Sequence, residues 1–539
     1  MATDFDKTPR STSPSSAWAP LRHRAFAVLW SATIVSNIGT WMNSVGAGWL
    51  MTSLAPSPTM VALVQAATTL PVFMLALPAG ALADIVDRRR ILLICQFGMC
   101  ALVAVLALLV WREWVTAQVL LLFTFLLGAG KAVAAPAWQA VIPKLVPRDA
   151  LQPAIALNSI GINVSRAIGP ALAGLLIVTL GMAAPFAVDA VSFLAVVAAL
   201  IWWNPPPSPP SMLPAERFSN AMRTGLRYAR SSGPLRATLL RACAYLFFAN
   251  AFWALLPLIS RDSLQGEATL YGLLLAGVGV GAILGGLLLP SFKARLGSDQ
   301  TVAIATGGTA IMTAVFAVAS NVPIALAASV AFGMGWIAAL ASLAGSAQVA
   351  LPDWVRARGL SVYMMVMFGS MTLGSIAWGQ VADLYSIRIS LLVAAAGALV
   401  VIPLVSGARL NQGESLDLSP SLHWPAPVVA GEIKPDRGPV MTTIEYQTDP
   451  ADARAFVAAL ADLSHARRRA GAFAWGMFED AAVPGRYLEY FMESSWVEHL
   501  RHHERVTVAD RPIQDRVVAF HRGESAPHVT HYLAPESGR

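Results

Sequence analysis

From Ala25 to Ala408 the chain is a succession of apolar stretches separated by short polar turns. Each stretch reaches the roughly 20 residues that a helix needs to cross a bilayer core. Inside lipid every backbone N–H and C=O has to be paired within the segment, so stretches of this length are read as helices. The 384 residues of this region, divided by twelve, give 32 per unit, one span and one loop. Spans are expected near 26–50, 60–83, 91–111, 117–138, 150–178, 184–203, 237–259, 270–290, 301–319, 322–346, 360–382 and 388–408. The chain is 13% charged, against about 25% in ordinary soluble domains. A purely soluble enzyme is excluded, and the lipid bilayer is the first partner.

The net charge of +7 invites a nucleic-acid reading until the basic residues are placed. Segments that share a side with the N-terminus carry 18 Lys or Arg before the last span, and the opposite loops carry three, Arg112, Arg261 and Arg388. That asymmetry is the positive-inside rule, and it expects both termini in the cytosol and no nucleic-acid partner. Residues 1–24 are Ser, Thr and Pro-rich without an apolar core, so they read as a disordered cytosolic tail rather than a signal peptide. Cys95, Cys100 and Cys243 lie in or beside apolar runs; they read as small buried hydrophobes with no metal or disulfide framework.

The spans fall into two sets of six, 25–203 and 237–408. The linker between them, 204–236, opens with a proline run from Pro205 to Pro210 and continues as an amphipathic basic stretch, Arg217 to Arg230. Gln139-x3-Pro143-x7-Leu151 after the fourth span is echoed by Gln348-x3-Pro352-x7-Leu360 after the tenth. A six-plus-six internal repeat is the organisation of many secondary transporters.

Residues 79–90, between the second and third spans, read Ala-Gly-Ala-Leu-Ala-Asp-Ile-Val-Asp-Arg-Arg-Arg. This resembles the major facilitator signature Gly-x3-Asp-x2-Gly-Arg-(Lys/Arg), with Gly80, Asp84, Arg88 and Arg89 in register and Asp87 in the place of the last Gly. In the resemblance Asp84 accepts from neighbouring helix N-termini and the arginines face anionic lipid or a carboxylate. Ser165-x3-Gly169-Pro170-x2-Ala173-Gly174 in the fifth span is similar to the antiporter motif of the same superfamily, with two glycines replaced by Ser165 and Ala173. The resemblance implies export; a small-residue packing face is the alternative. Gly277-x3-Gly281-x3-Gly285 reads as packing. The wording Trp41-Met42 to Trp49-Leu50, then Leu70-Pro71 and Leu77-Pro78-Ala79-Gly80, resembles the transmembrane secretion effector branch, which holds the enterobactin exporter and macrolide efflux proteins. The fold implied is an all-α membrane protein of twelve helices in two six-helix halves.

Charges within spans are costly and mark function or pairing. Asp189 in the sixth span is the candidate proton carrier. The alternative is a structural ion pair with Arg166 or Lys131, or capping near the outer surface. Asn37, Asn43, Gln65, Asn158 and Asn163 could line a central cavity or bond between helices. The nearest Walker-like fragment, Gly130-Lys131-Ala132, lacks the upstream Gly and the Ser or Thr, so an ion gradient, most simply of protons, is the expected energy source. No cofactor is expected.

After the linker 409–438 the texture changes. Val440–Gln447 reads as a strand, Pro450–Arg469 as a helix, Phe473–Glu479 and Arg486–Glu493 as a hairpin, Trp496–Arg505 as helical and His528–Leu533 as a last strand. This order makes 439–535 a small α+β ferredoxin-like domain. Gly485–Phe491 followed by Trp496–Leu500 resembles antibiotic-biosynthesis-monooxygenase-like domains, which often dimerise through their sheets, so a homodimer through this domain is one implied partner. The monooxygenase members use Asn and Trp, and this tail has no Asn; a ligand-sensing or dimerising module is expected instead of catalysis. Seven of the nine histidines lie here. His499 and His503 have the i, i+4 spacing of metal ligands, but a solvated helix face is the expectation. The function expected is export of a small organic compound, a drug-like metabolite or siderophore, by proton antiport. An importer of the same fold, or a transporter fused to an active or sensing monooxygenase-like domain, is the alternative. A mostly apolar cavity carries no readable motif for its substrate.

Overall fold

A computed structural model of the chain describes residues 18–147, 150–204, 218–410, 416–421, 423–424, 427, 429 and 431–535, with side chains at all of these except 81, 83–85 and 218–224. The first six spans are α1 (Arg24–Leu54), α2 (Pro58–Ile85), α3 (Arg88–Trp111), α4 (Ala117–Leu145), α5 (Leu151–Leu180) and α6 (Ala184–Trp202). The short helix α7 (Phe218–Ser231) follows, then α8 (Gly233–Leu258), α9 (Ala268–Val318), α10 (Val322–Val349), α11 (Arg356–Leu384) and α12 (Ile387–Leu404). Side chains define the ends where the loops are short. Asp87, Thr116 and Ser386 accept from the backbone N–H three residues on, at the starts of α3, α4 and α12. Pro71 and Pro78 sit inside α2, as is tolerated where neighbouring helices surround the freed carbonyls. The proline run 205–210 and Arg217 lie outside the described residues.

Among the described residues eleven helices are long and apolar enough to cross a membrane, one fewer than the sequence predicts, because 270–290 and 301–319 are joined in α9. Gly297 explains the difference: its φ of 71° breaks the 51-residue helix. On α10, Gly333 packs against Val278 and Gly335 against Thr309. Two residues apart on α10 thus touch positions that a straight α9 would hold about 46 Å apart at 1.5 Å per residue. α9 therefore folds back at Gly297, and its two limbs are two crossings. Gly281 and Gly285 press directly on the α10 backbone at Val330 and Met334, the packing role expected of that glycine series.

Within the first half α1 packs on α5 and α6, and α4 on α2 and α3; within the second, α8 packs on α11 and α9 on α10 and α12. The two halves meet along α2 with α11 and α5 with the first limb of α9. Ile94, Leu180 and Leu287 are 71%, 71% and 72% exposed, as befits a face that lipid covers. The cysteines are less hidden than expected: Cys95 and Cys100 are half-buried and Cys243 is exposed, because each sits on the flank of its helix rather than on the packed face.

The tail forms one antiparallel sheet in the order β2-β3-β1-β4, with β1 (Val440–Gln447), β2 (Ala474–Glu479), β3 (Arg486–Glu493) and β4 (His528–Leu533). Together with α13 (Ala453–Ala470), α14 (Trp496–Arg505) and α15 (Arg511–Val518) this is the ferredoxin-like arrangement. Alternation along β3 puts Tyr487, Glu489, Phe491 and Glu493 under the helices. Phe478 and Tyr532, 61% and 52% exposed, lie on the open face of the sheet.

Candidate functional site

The antiporter-like motif divides between two faces of α5. Ser165 Oγ donates to the Gly161 and Ile34 carbonyls at 2.9 and 3.3 Å, and a side chain at Gly169 would lie 2.6 Å from Trp41 Cβ, so both positions hold α5 against α1. Pro170 and Gly174 face the other half: Gly272 lies on the Pro170 carbonyl, and a Cβ at Gly174 would be 2.7 Å from the Ala268 carbonyl. Small residues at each contact let the two backbones meet. At the same end of the bundle Ser57 and Thr59 donate to the two Asp383 oxygens at 3.1 Å each, and Arg261 donates to the Thr52 carbonyl. Halfway along the seam the Thr69 and Thr372 hydroxyls are 2.7 Å apart. At the end that carries the α2–α3 loop, a Cβ on Gly80 would stand 3.9 Å from Ser361 Oγ on α11.

Asp189 is 1% exposed. Its Oδ2 accepts from Asn43 Nδ2 at 2.9 Å, and Ser192 Oγ lies 3.3 Å from Oδ1. A Cβ at Gly39 would stand 2.9 Å from Oδ1, so a glycine is required for α1 to close over the carboxylate. The expected ion pair with Arg166 does not form. Arg166 stacks instead on the Trp41 ring at 5.4 Å. The reason is helical phase: Trp41 and Asn43 are about 200° apart around α1 at 3.6 residues per turn, so one faces α5 and the other α6. Lys131 makes no contact ion pair among the described residues. Arg166 Nε is buried without a hydrogen-bond partner. Asn37 and Gln65 are half-buried; Gln65 lies one turn from Thr69, on the seam, and neither joins the Asp189 group. Asn43, read from sequence as lining a cavity or bonding between helices, bonds across to α6 here; Ser192 was not singled out from sequence. The signal available was Ser192 three residues after Asp189, on the same face.

In the signature segment, Asp87 caps α3, its carboxylate accepting from Arg90 N at 2.9 Å. Arg89 donates to the last carbonyls of α6, Leu200 at 2.8 Å and Ile201 at 2.7 Å, and Arg88 to Ala140 at 3.4 Å. These described partners are backbone carbonyls, and the C-terminal carbonyls of α6 attract a cation. Asp84 lies in the last turn of α2; its side chain is outside the described residues.

The tail holds a second polar group that the solvated-face expectation missed. Glu489 is fully buried, with Arg467 Nε at 3.1 Å, Trp475 Nε1 at 3.0 Å and Tyr446 Oη at 3.1 Å. Burial alone would weaken the Arg467 charge, but Glu489 and Tyr446 outweigh it and hold the guanidinium above its ordinary value. Arg467→Met is expected to destabilise the tail by about 3–5 kcal/mol, since it strands a buried carboxylate. Denaturant melts of the full chain, followed at the Trp424 ring on which Arg467 stacks, check this. On the other side of Phe491, His499 Nδ1 lies 2.8 Å from Glu493 Oε2, and His502 Nδ1 bonds Oε1. Burial works against the Glu493 carboxylate, but the His502 and His499 rings override it and set its pKa at about 2. Burial first, then the neighbouring rings, bring His503 down to about 4.

The tail is seated on the membrane part. Arg227 of α7 donates to the Gly471 carbonyl, Arg505 stacks on Trp354 at 4.7 Å, and Leu410 N donates to Asp299 at 2.9 Å at the start of the linker.

Two six-helix halves that meet along paired seams define a major facilitator-type transporter, and solved structures share this fold. A bacterial homologue of the human lysosomal transporter Spinster, inward-facing and unoccupied, superposes with a TM-score of 0.56 at 16% identity, covering 72% of this chain and 98% of its own. A POT family transporter in complex with a thioalcohol-conjugated peptide gives 0.59 at 12% identity, covering 71% and 95%. The sequence profile of the transmembrane secretion effector family matches residues 15–538, and the chain belongs to that family. It is 24% identical over 363 residues to the staphyloferrin A transporter of Staphylococcus aureus, covering 66% of this chain and 89% of that protein. It is 25% identical over 326 residues to the enterobactin exporter of Salmonella typhi, covering 60% and 76%. With macrolide efflux protein A of Streptococcus pyogenes it shares 25% identity over 268 residues, covering 50% and 66%. The family and these relatives are transporters, not enzymes. The chain is an integral multi-pass membrane transporter of small molecules.

Proposed function

We propose that this transporter exports a small organic compound, a drug-like metabolite or a siderophore, from the cytosol by exchange with protons, and that Asp189 is the proton site. The observation that carries the coupling half of this reading is the Asp189 pocket: a carboxylate 1% exposed, held by Asn43 and Ser192, with no contact ion pair among the described residues to pin its charge. Such a group can exist in either protonation state without unpairing a cation. The direction is supported by two of the relatives, named as an exporter and an efflux protein. The basic loops support a cytosolic position for both termini. In that orientation the seam contacts at Thr52, Gly174 and Asp383 face outward.

The test is uptake of a fluorescent efflux substrate or a ferric-free siderophore into inside-out membrane vesicles. Accumulation is expected to need an interior-acid pH gradient and to collapse when the gradient is dissipated, while added protease cleaves the tail from the outside of the same vesicles. Accumulation that ignores the gradient would remove proton coupling. Movement of substrate only in the reverse direction would make the protein an importer, and a protected tail would reverse the topology.

A further inference from the structure

The geometry points to a divalent transition-metal site in the tail, formed by the imidazoles of His499, His503 and His531 with one coordination position left open, and zinc is the ion that three imidazoles suit best. The three histidines come from two elements. His499 and His503 are one turn apart on α14, and β4 brings His531 across to them, with ring centroids 4.9 Å from His499 to His503 and 4.7 Å from His499 to His531. One nitrogen from each ring lies within 4.8 Å of the others. Nitrogens bound to one tetrahedral zinc are about 3.3 Å apart for bonds of about 2.0–2.1 Å, a closing that rotation of the two half-buried rings supplies.

What separates this group from a chance cluster is how His499 is held. It is 1% exposed, and its Nδ1 is taken by Glu493 at 2.8 Å. A carboxylate only accepts, so the proton of that bond sits on Nδ1. The other nitrogen, Nε2, is buried and has no hydrogen-bond partner among the described residues. An orphaned buried ring nitrogen costs free energy unless something binds it. Carboxylate to Nδ1 with Nε2 presented is the outer-shell arrangement that fixes a metal-binding histidine. Trp496 lies against His499, its ring 5.2 Å away, and Trp424 meets His503 edge-on at 5.0 Å. These rings wall the group on its apolar sides. His502 shares Glu493 but stacks on Phe491 at 5.4 Å, and it stays outside the trio.

The test uses the full chain in detergent, carrying a purification tag without histidine and stripped with a chelator. Calorimetric titration with zinc chloride is expected to show one equivalent bound, and cobalt chloride to give the visible bands of a four-coordinate ion. His503→Gln and His531→Gln, at half-buried positions, should each weaken zinc binding at least tenfold. Glu493→Gln should weaken it about 10–100-fold by releasing the His499 ring. His465→Gln, at an exposed position on α13, should leave it unchanged. No stoichiometric zinc on the intact chain, or equal affinity in the His503→Gln and His531→Gln proteins, overturns the site. These readouts do not depend on transport, so the site stands or falls apart from the exporter reading.

Discussion

In the Asp189→Asn protein, gradient-driven accumulation in inside-out vesicles is expected to fall at least tenfold, while energy-independent exchange of substrate across the same membranes continues. The side chain keeps its shape and can still bond Asn43 and Ser192, but it no longer gains and loses a proton. Exchange needs no net protonation cycle, so it should survive. The contrast matters because Asp189 sits where α1 closes over α6 at Gly39, and a purely structural carboxylate there would fail differently. Loss of both activities together with poor membrane insertion would assign Asp189 to folding. Full gradient-driven transport in the variant would exclude it as the coupling site and turn attention to Asp84 and to Asp383, which already bonds Ser57 and Thr59 across the seam.

Gly272→Val is expected to abolish transport with little change in the amount of folded protein. A Cβ at this position meets the Pro170 carbonyl of the opposite half. The halves must then stand apart at this end, and a state that needs them in contact is lost from the cycle. Gly281→Val is expected to behave in the opposite way. Its Cβ meets the Val330 carbonyl within the same half, so the clash falls inside a packed unit and is relieved only by misfolding. Fluorescence size-exclusion profiles and transport assays on the pair separate the two effects. Equal loss of folded protein in both would deny that the α5–α9 contact is a separable seam.

The spans and the strands of the tail were legible because they rest on local patterns. Length and apolarity read the helices in lipid, and alternation read β3 to its last residue. What local pattern could not show is which faces meet. Sequence offered Arg166, Lys131 and Asp189 as charges in need of partners, and opposite charge suggested a pair. The phase of α1 decided otherwise, giving Trp41 to Arg166 and Asn43 to Asp189. The same holds in the tail. His499 and His503 were visible as a spacing, but His531 lies 28 residues beyond His503, and only the antiparallel register of β4 against β1 brings it to α14. The break between 270–290 and 301–319 was legible as a gap in hydropathy; that one glycine, Gly297, carries the reversal was not.

The described anchors of the tail, Trp354, Asp299 and the connecting helix at Arg227, are all in the second half or in the connector. In a rocking cycle the tail is therefore freight carried by one half. On the exporter reading, each turnover swings roughly a hundred residues of folded protein with the second half, and none of these described anchors ties them to the first. Whatever grips that freight adds drag to every stroke, so the rate of transport becomes readable from outside the lipid.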